Sequence, residues 1–177
     1  MLLMKKILII ISILLIFTMI TNNVKADTIM IPNEAIRFRV LANSNNVYDQ
    51  EIKMDVALSV QDEIYNLLKD ETNISSARET IKNNIPKIET VVERIFKEKS
   101  YLNTFKVEYG YNYFPEKEYK GVKYEEGNYE SLLITLGEGK GDNWWCVLFP
   151  PLCLVEAEES SEVEYKFFIQ ELIEKYF

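Results

Sequence analysis

Histidine is absent from all 177 residues, and cysteine occurs only twice. The first absence removes Ser-His and Cys-His nucleophile pairs and every His-ligated metal site. Together the two shortages argue against zinc. Positive charge is also in deficit, with 20 Lys and Arg against 28 Asp and Glu, a formal charge of −8. Residues 1–26 hold three lysines and no acid, so the other 151 residues, 17 basic against 28 acidic, carry −11. That balance argues against nucleic acid or an anionic membrane surface as a partner held by bulk charge. Internal repeats and low-complexity blocks are missing too, and no motif points to a cofactor or a small-molecule substrate.

What is present begins with a leader pattern. Lys5 and Lys6 precede an apolar run over residues 7–20, interrupted only by Ser12 and Thr18. The polar Thr21-Asn22-Asn23 and the small-residue site Val24-Lys25-Ala26 follow. A basic segment, an apolar segment and an A-x-A-like site in that order predict a signal peptide over 1–26, cleaved after Ala26. The run is shorter than the roughly 20 residues that a spanning helix needs, which leaves an uncleaved anchor as the alternative. Export of a single domain over 27–177 is expected either way, and a chain of about 150 residues can bury a real core.

Downstream, residue periodicity sets the elements. Ile36, Phe38, Val40 and Ala42 alternate with Arg37, Arg39 and Asn43, as in a strand with one buried face. The cluster Asn43-Ser44-Asn45-Asn46 is a turn leading to a helix over 49–69, with Ile52, Val56, Val60, Ile64, Leu67 and Leu68 at helical spacing. A second helical stripe, Ile81, Ile85, Ile88, Val92, Ile95 and Phe96, starts near Ser75-Ser76, with Glu79 a capping-box candidate. Pro86 inside it predicts a kink or two shorter helices. Period two returns over 105–113, then in Leu132, Ile134 and Leu136, then over 144–149; residues 114–127 read as a polar connection. Acids over 156–164 favour a C-terminal helix over about 161–176 through the macrodipole. The fold class is α+β: a small, mostly antiparallel sheet with two to four helices on one face, in the order β-α-α-β-β-β-α.

The run from Trp144 to Phe149 stands apart because both of its faces are apolar. Simple alternation sends Trp144, Cys146 and Leu148 one way and Trp145, Val147 and Phe149 the other. If helices cover one sheet face, the second exposes aromatic residues of the kind favoured as binding anchors. The bland alternative is cover by the Pro150-Pro151 fold-back or the C-terminal helix. In an exported chain, Cys146 and Cys153 are expected to form one disulfide, with Pro150-Pro151 turning the chain back between them. Two buried free thiols are the other reading. Closing that short loop stabilises by roughly 2.5 kcal/mol on the chain-entropy model.

Other features carry less. Residues 137–141 look like a phosphate loop, but Gly141 follows Lys140 where a P-loop has Ser or Thr, and a strand follows; a hairpin with glycines at positive φ is expected. Asn73-Ile74-Ser75 matches a glycosylation sequon by pattern only. Arg37 and Arg39 are expected to pair with local carboxylates, with a partner-facing role as the alternative.

The segment Ile31-Pro32-Asn33-Glu34-Ala35-Ile36-Arg37-Phe38-Arg39-Val40-Leu41-Ala42-Asn43-Ser44, with Asp49-Gln50 and Lys53, closely resembles the start of the mature domain in the stage II sporulation protein R family. Gly127-Asn128-Tyr129, Gly137-Glu138-Gly139-Lys140-Gly141 and Asn143-Trp144-Trp145-Cys146-Val147-Leu148-Phe149-Pro150-Pro151-Leu152-Cys153 resemble its signature block. The likeness spans about 31–155, with Glu125-Glu126 where the family pattern has Pro-Ala. It implies a secreted intercellular signal of endospore formation, not an enzyme. Such a signal acts in the space between forespore and mother cell. Its implied partner is a membrane-embedded aspartic peptidase that processes the sporulation sigma-E precursor. Trp144, Trp145, Phe149, Pro150 and Pro151 are the expected contacts, with Arg37 and Arg39 behind them. The competing classes are a secreted envelope hydrolase using a carboxylate pair and a structural envelope component.

Overall fold

The computed structural model describes residues 29–30, 34–119, 122–152, 171 and 173–176. The leader, Cys153 and most of the expected C-terminal helix lie outside the described residues. The elements are β1 (Ile29–Met30), β2 (Ile36–Leu41), α1 (Val47–Leu68), α2 (Ile74–Asn83), α3 (Ile85–Glu98), β3 (Phe105–Phe114), β4 (Lys117–Tyr119), β5 (Val122–Tyr124), β6 (Gly127–Leu136) and β7 (Asn143–Phe149). Residues 171 and 173–176 are helical.

The expected α+β class holds. Four strands form the main sheet in the order β3-β6-β2-β7. β3 and β7 run antiparallel to their neighbours, while β2 and β6 are parallel. Ile36, Phe38 and Val40 of β2 and Leu132, Ile134 and Leu136 of β6 make the core with Ile52, Val56, Val60 and Ile64 of α1 and Ile88 and Val92 of α3. The apolar side chains fall where period 2.0 in strands meets period 3.6 in helices.

Helix boundaries follow local chemistry. Asn46 caps α1, its side chain accepting from the Asp49 amide. Asn73, and not the Ser76–Glu79 box, caps α2 by accepting from the Ser76 amide; asparagine one turn earlier satisfies the same orphan donors. Pro86 splits the second helical stripe in two, because it has no amide to donate and fits only the first turn of α3.

Three expectations are corrected. Residues 137–142 do not close a hairpin: β6 and β7 flank β2, so this loop crosses over the end of β2. The stretch 114–127 is not simply a connection, since β4 and β5 pair within it and β5 also pairs with β1. Alternation also fails at the end of β7. Ile36 opposes Phe149 but Arg37 opposes Val147, so Leu148 is an extra residue in the strand. This bulge turns both Leu148 and Phe149 into the helix-side core.

Candidate partner-binding face

The motif residues at the two ends of the chain meet at the top of β2. Asp49, buried at the start of α1, accepts from the side chains of Asn43 (2.8 Å), Ser44 (2.6 Å) and Asn46 (2.9 Å), and from the Tyr101 hydroxyl. Burial alone would raise its pKa, but the hydrogen bonds from Ser44, Tyr101, Asn43 and Asn46 outweigh it and hold the carboxyl below its ordinary value. The same bond, together with burial, pushes the Tyr101 hydroxyl up to about 12. Asn43 Oδ1 accepts from the Glu138 amide and Asn45 Oδ1 from the Asp142 amide, tying the 137–142 loop down. A Cβ on Gly141 would sit 2.3 Å from the Ser44 carbonyl oxygen, and Gly137 adopts a φ of +55° against Asn43. Lys53 is buried beside this knot and donates to Gln50, with burial lowering its pKa. The Asn-Ser, Asp-Gln and Gly-rich motifs are therefore one structural joint.

A second buried acid braces the helix side. Glu130 accepts two bonds from Arg78, at 2.6 and 2.7 Å, and one from the Tyr109 hydroxyl at 2.9 Å. This fork holds α2 to β6.

The other sheet face carries different chemistry. Arg37, Arg39, Phe114, Tyr129 and Trp145 share it, as strand alternation and register require. The Arg37 guanidinium lies 3.2 Å from the Tyr129 ring centre, 5.5 Å from Phe114 and 6.0 Å from Trp145. Arg39 lies 5.6 Å from Phe114 and donates to the Tyr113 carbonyl. Tyr124 at the end of β5 packs edge-on against Trp145 at 4.8 Å, and Lys117 of β4 stands 5.3 Å from the same ring. Among the described residues, the β4–β5 pair covers this face.

Arg37 and Arg39 do not pair with carboxylates among the described residues, contrary to expectation; aromatic faces take that place. Nε and Nη1 of Arg37 and Nε of Arg39 are buried with no hydrogen-bond partner. Arg37 is only 1% exposed. Desolvation lowers the pKa of both arginines, yet a guanidinium stays charged at any physiological pH.

The structure separates the remaining expected contacts. Trp145 is half-buried on the cationic face, whereas Trp144 is half-buried on the helix side, edge-on to Phe38 at 5.5 Å. Phe149 is 1% exposed, beneath Tyr176 of the C-terminal helical turn. It is a core residue and no surface anchor. Pro150 is buried and Pro151 half-buried; Pro151, Phe149 and Tyr176 border a cleft of about 220 Å³ against Ile64 and Leu68 of α1. Cys146 is half-buried on β7, and its expected bond to Cys153 lies outside the described residues.

Sequence reasoning missed Phe114, Lys117, Tyr124 and Tyr129. One signal was legible: Phe114 and Tyr129 place aromatics at strand positions whose neighbours on the same face are polar or glycine.

A family profile described as stage II sporulation protein R matches residues 32–159. Stage II sporulation protein R of Bacillus subtilis (strain 168) is 39% identical over 136 residues, covering 77% of this chain and 61% of that protein. The chain thus aligns with less than two thirds of its relative's length. No solved structure is similar enough to match.

Proposed function

We propose, on the premise that the chain belongs to the stage II sporulation protein R family, that it is a secreted signal which activates a membrane-embedded aspartic peptidase processing the sporulation sigma-E precursor. The family makes it a sporulation protein; export, the peptidase and the activation are our reading. The chain is the ligand and not the protease. The observation that carries this is the cationic–aromatic sheet face around Trp145, where unsatisfied guanidinium donors and a half-buried indole lie together. Such a surface is built to bind. Among the described residues the two buried acids, Asp49 and Glu130, are already engaged by several donors each, which supports a structural role for them over acid–base work.

Activation requires that the ligand bind the peptidase's active state more tightly than its resting state. A disulfide between Cys146 and Cys153 would fix β7, the strand that carries Trp145, from its helix side. The test is reconstitution in a non-sporulating host that expresses the peptidase, the sigma-E precursor and this chain. Precursor shortening only when the chain is present, and lost with Trp145→Ala, is the expected result. Unchanged precursor, with the chain secreted and oxidised, would overturn the reading.

A further inference from the structure

The described ion pairs account for Arg78, Lys87, Arg94, Lys99, Lys106 and Lys140 with acids close by. Arg37 and Arg39 are different in a chain with an excess of acids. They sit two apart on β2, so their side chains rise from the same face roughly 7 Å apart. Both guanidinium groups approach the buried Phe114 ring. At 3.2 Å from the Tyr129 ring centre, the Arg37 guanidinium can only be stacked close to parallel. Stacking occupies the faces of a guanidinium, whereas its N–H donors point outward in its plane. Of these in-plane donors, Nε and Nη1 of Arg37 and Nε of Arg39 are without partners. Held flat by stacking, each of these guanidinium groups offers free, fixed N–H donors to a charged oxygen acceptor.

We infer that Arg37 and Arg39 form a recognition site for a carboxylate side chain of a partner polypeptide, with the aromatic cluster as its walls. This deepens the proposed function, and rests on it for the partner's being a protein. The surroundings set the direction of approach. On the Tyr129 side, Glu34, Glu125 and Glu126 line an open recess and repel an acid. On the Trp145 side, exposed Lys117 stands over the indole and attracts one. A partner's Asp or Glu therefore enters past Lys117 and Trp145 and meets half-buried Arg39 first. Arg37 behind it gains the acceptors that the fold leaves out. The acid-rich recess next door selects one carboxylate within an otherwise apolar or basic segment, and disfavours an acidic run.

The chain has four arginines, and their side-chain Nε–H signals can be followed separately by ¹⁵N–¹H NMR. Arg78 is the internal reference, because its Nε already donates to Glu130 at 2.6 Å. The probe is a blocked pentapeptide with one central glutamate between leucines, compared with its glutamine twin and with inorganic phosphate. The glutamate peptide should move the Arg37 and Arg39 Nε–H signals downfield, toward the position of Arg78. Arg39→Gln should weaken that response by about tenfold or more, with an unchanged melting temperature showing that it folds; Lys117→Gln should weaken it less. No shift at millimolar peptide, an equal shift with the glutamine twin, or a stronger response to phosphate would each overturn the inference. Precursor processing is read separately. Nε–H shifts without processing would refute the peptidase and leave the carboxylate site standing.

Discussion

Replacing Asp49 by asparagine alters almost nothing in shape and removes one charge from the joint at the top of β2. One carboxylate oxygen takes three side-chain donors, from Asn43, Ser44 and Asn46, and the other takes the Tyr101 hydroxyl. The least costly placement of the new amide sends its NH₂ toward Tyr101, whose hydroxyl can turn and accept. The three bonds to the remaining oxygen survive as neutral ones. Each loses about 1 kcal/mol in passing from charge-assisted to neutral, about 3 kcal/mol in all. In a domain of this size that lowers the melting temperature by roughly 6–12 °C. The pH dependence gives a second check. A carboxyl held below its unfolded value contributes stability that is complete above about pH 5 and fades as pH falls through its lowered native pKa. Thermal melts of wild type and Asp49→Asn, followed by circular dichroism, should therefore differ most near neutral pH and converge toward about pH 2. A difference under about 2 °C at neutral pH, or one that widens in acid, would refute the account of Asp49 as the charged centre of this joint.

Two glycines lead to opposite predictions. Gly141→Ala should destabilise by about 1–3 kcal/mol, because its Cβ meets the Ser44 backbone; Gly110→Ala, with open space around it, should be neutral or stabilise by up to about 1 kcal/mol, both read by denaturant titration. Arg78→Lys loses the fork to Glu130 and should cost about 1 kcal/mol, seen as a drop of a few degrees in melting temperature. Phe149→Ala and Trp145→Ala should part company. The first removes a buried core ring at about 3–5 kcal/mol and reduces secreted, folded protein, whereas the second leaves folding intact and abolishes signalling.

Much of the architecture was legible because its signals are local. The stripes of α1 and of α2–α3, the break at Pro86 and the alternation in β2, β3 and β6 each depend on residues within a turn or two of one another. Which strands lie side by side depends on residues far apart, so the parallel β2–β6 pairing and the crossing loop were not readable. The bulge at Leu148 is the sharpest case. One extra residue moves Phe149 from the face of Trp145 into the core, and nothing in the Trp-Trp-Cys-Val-Leu-Phe string announces it. The site was half legible: Trp145, Arg37 and Arg39 were picked out, but the other rings that receive the arginines come from β3 and β6, and tertiary register alone assembles them.

The place of β2 sets the order in which the molecule can become itself. Arg37 lies in β2, and its strand partners Ser131 and Val147 are synthesised 94 and 110 residues later. Until both arrive, β2 has no neighbour on either side, and the guanidinium groups have no Phe114, Tyr129 or Trp145 to lie against. A chain synthesised only as far as β6 therefore cannot display the cationic–aromatic face, because Trp145 of β7 completes it. Non-local pairing of this kind slows folding, and here it also ties the surface to the assembled sheet: the cationic–aromatic face exists only where β3, β6 and β7 have all found their places around β2.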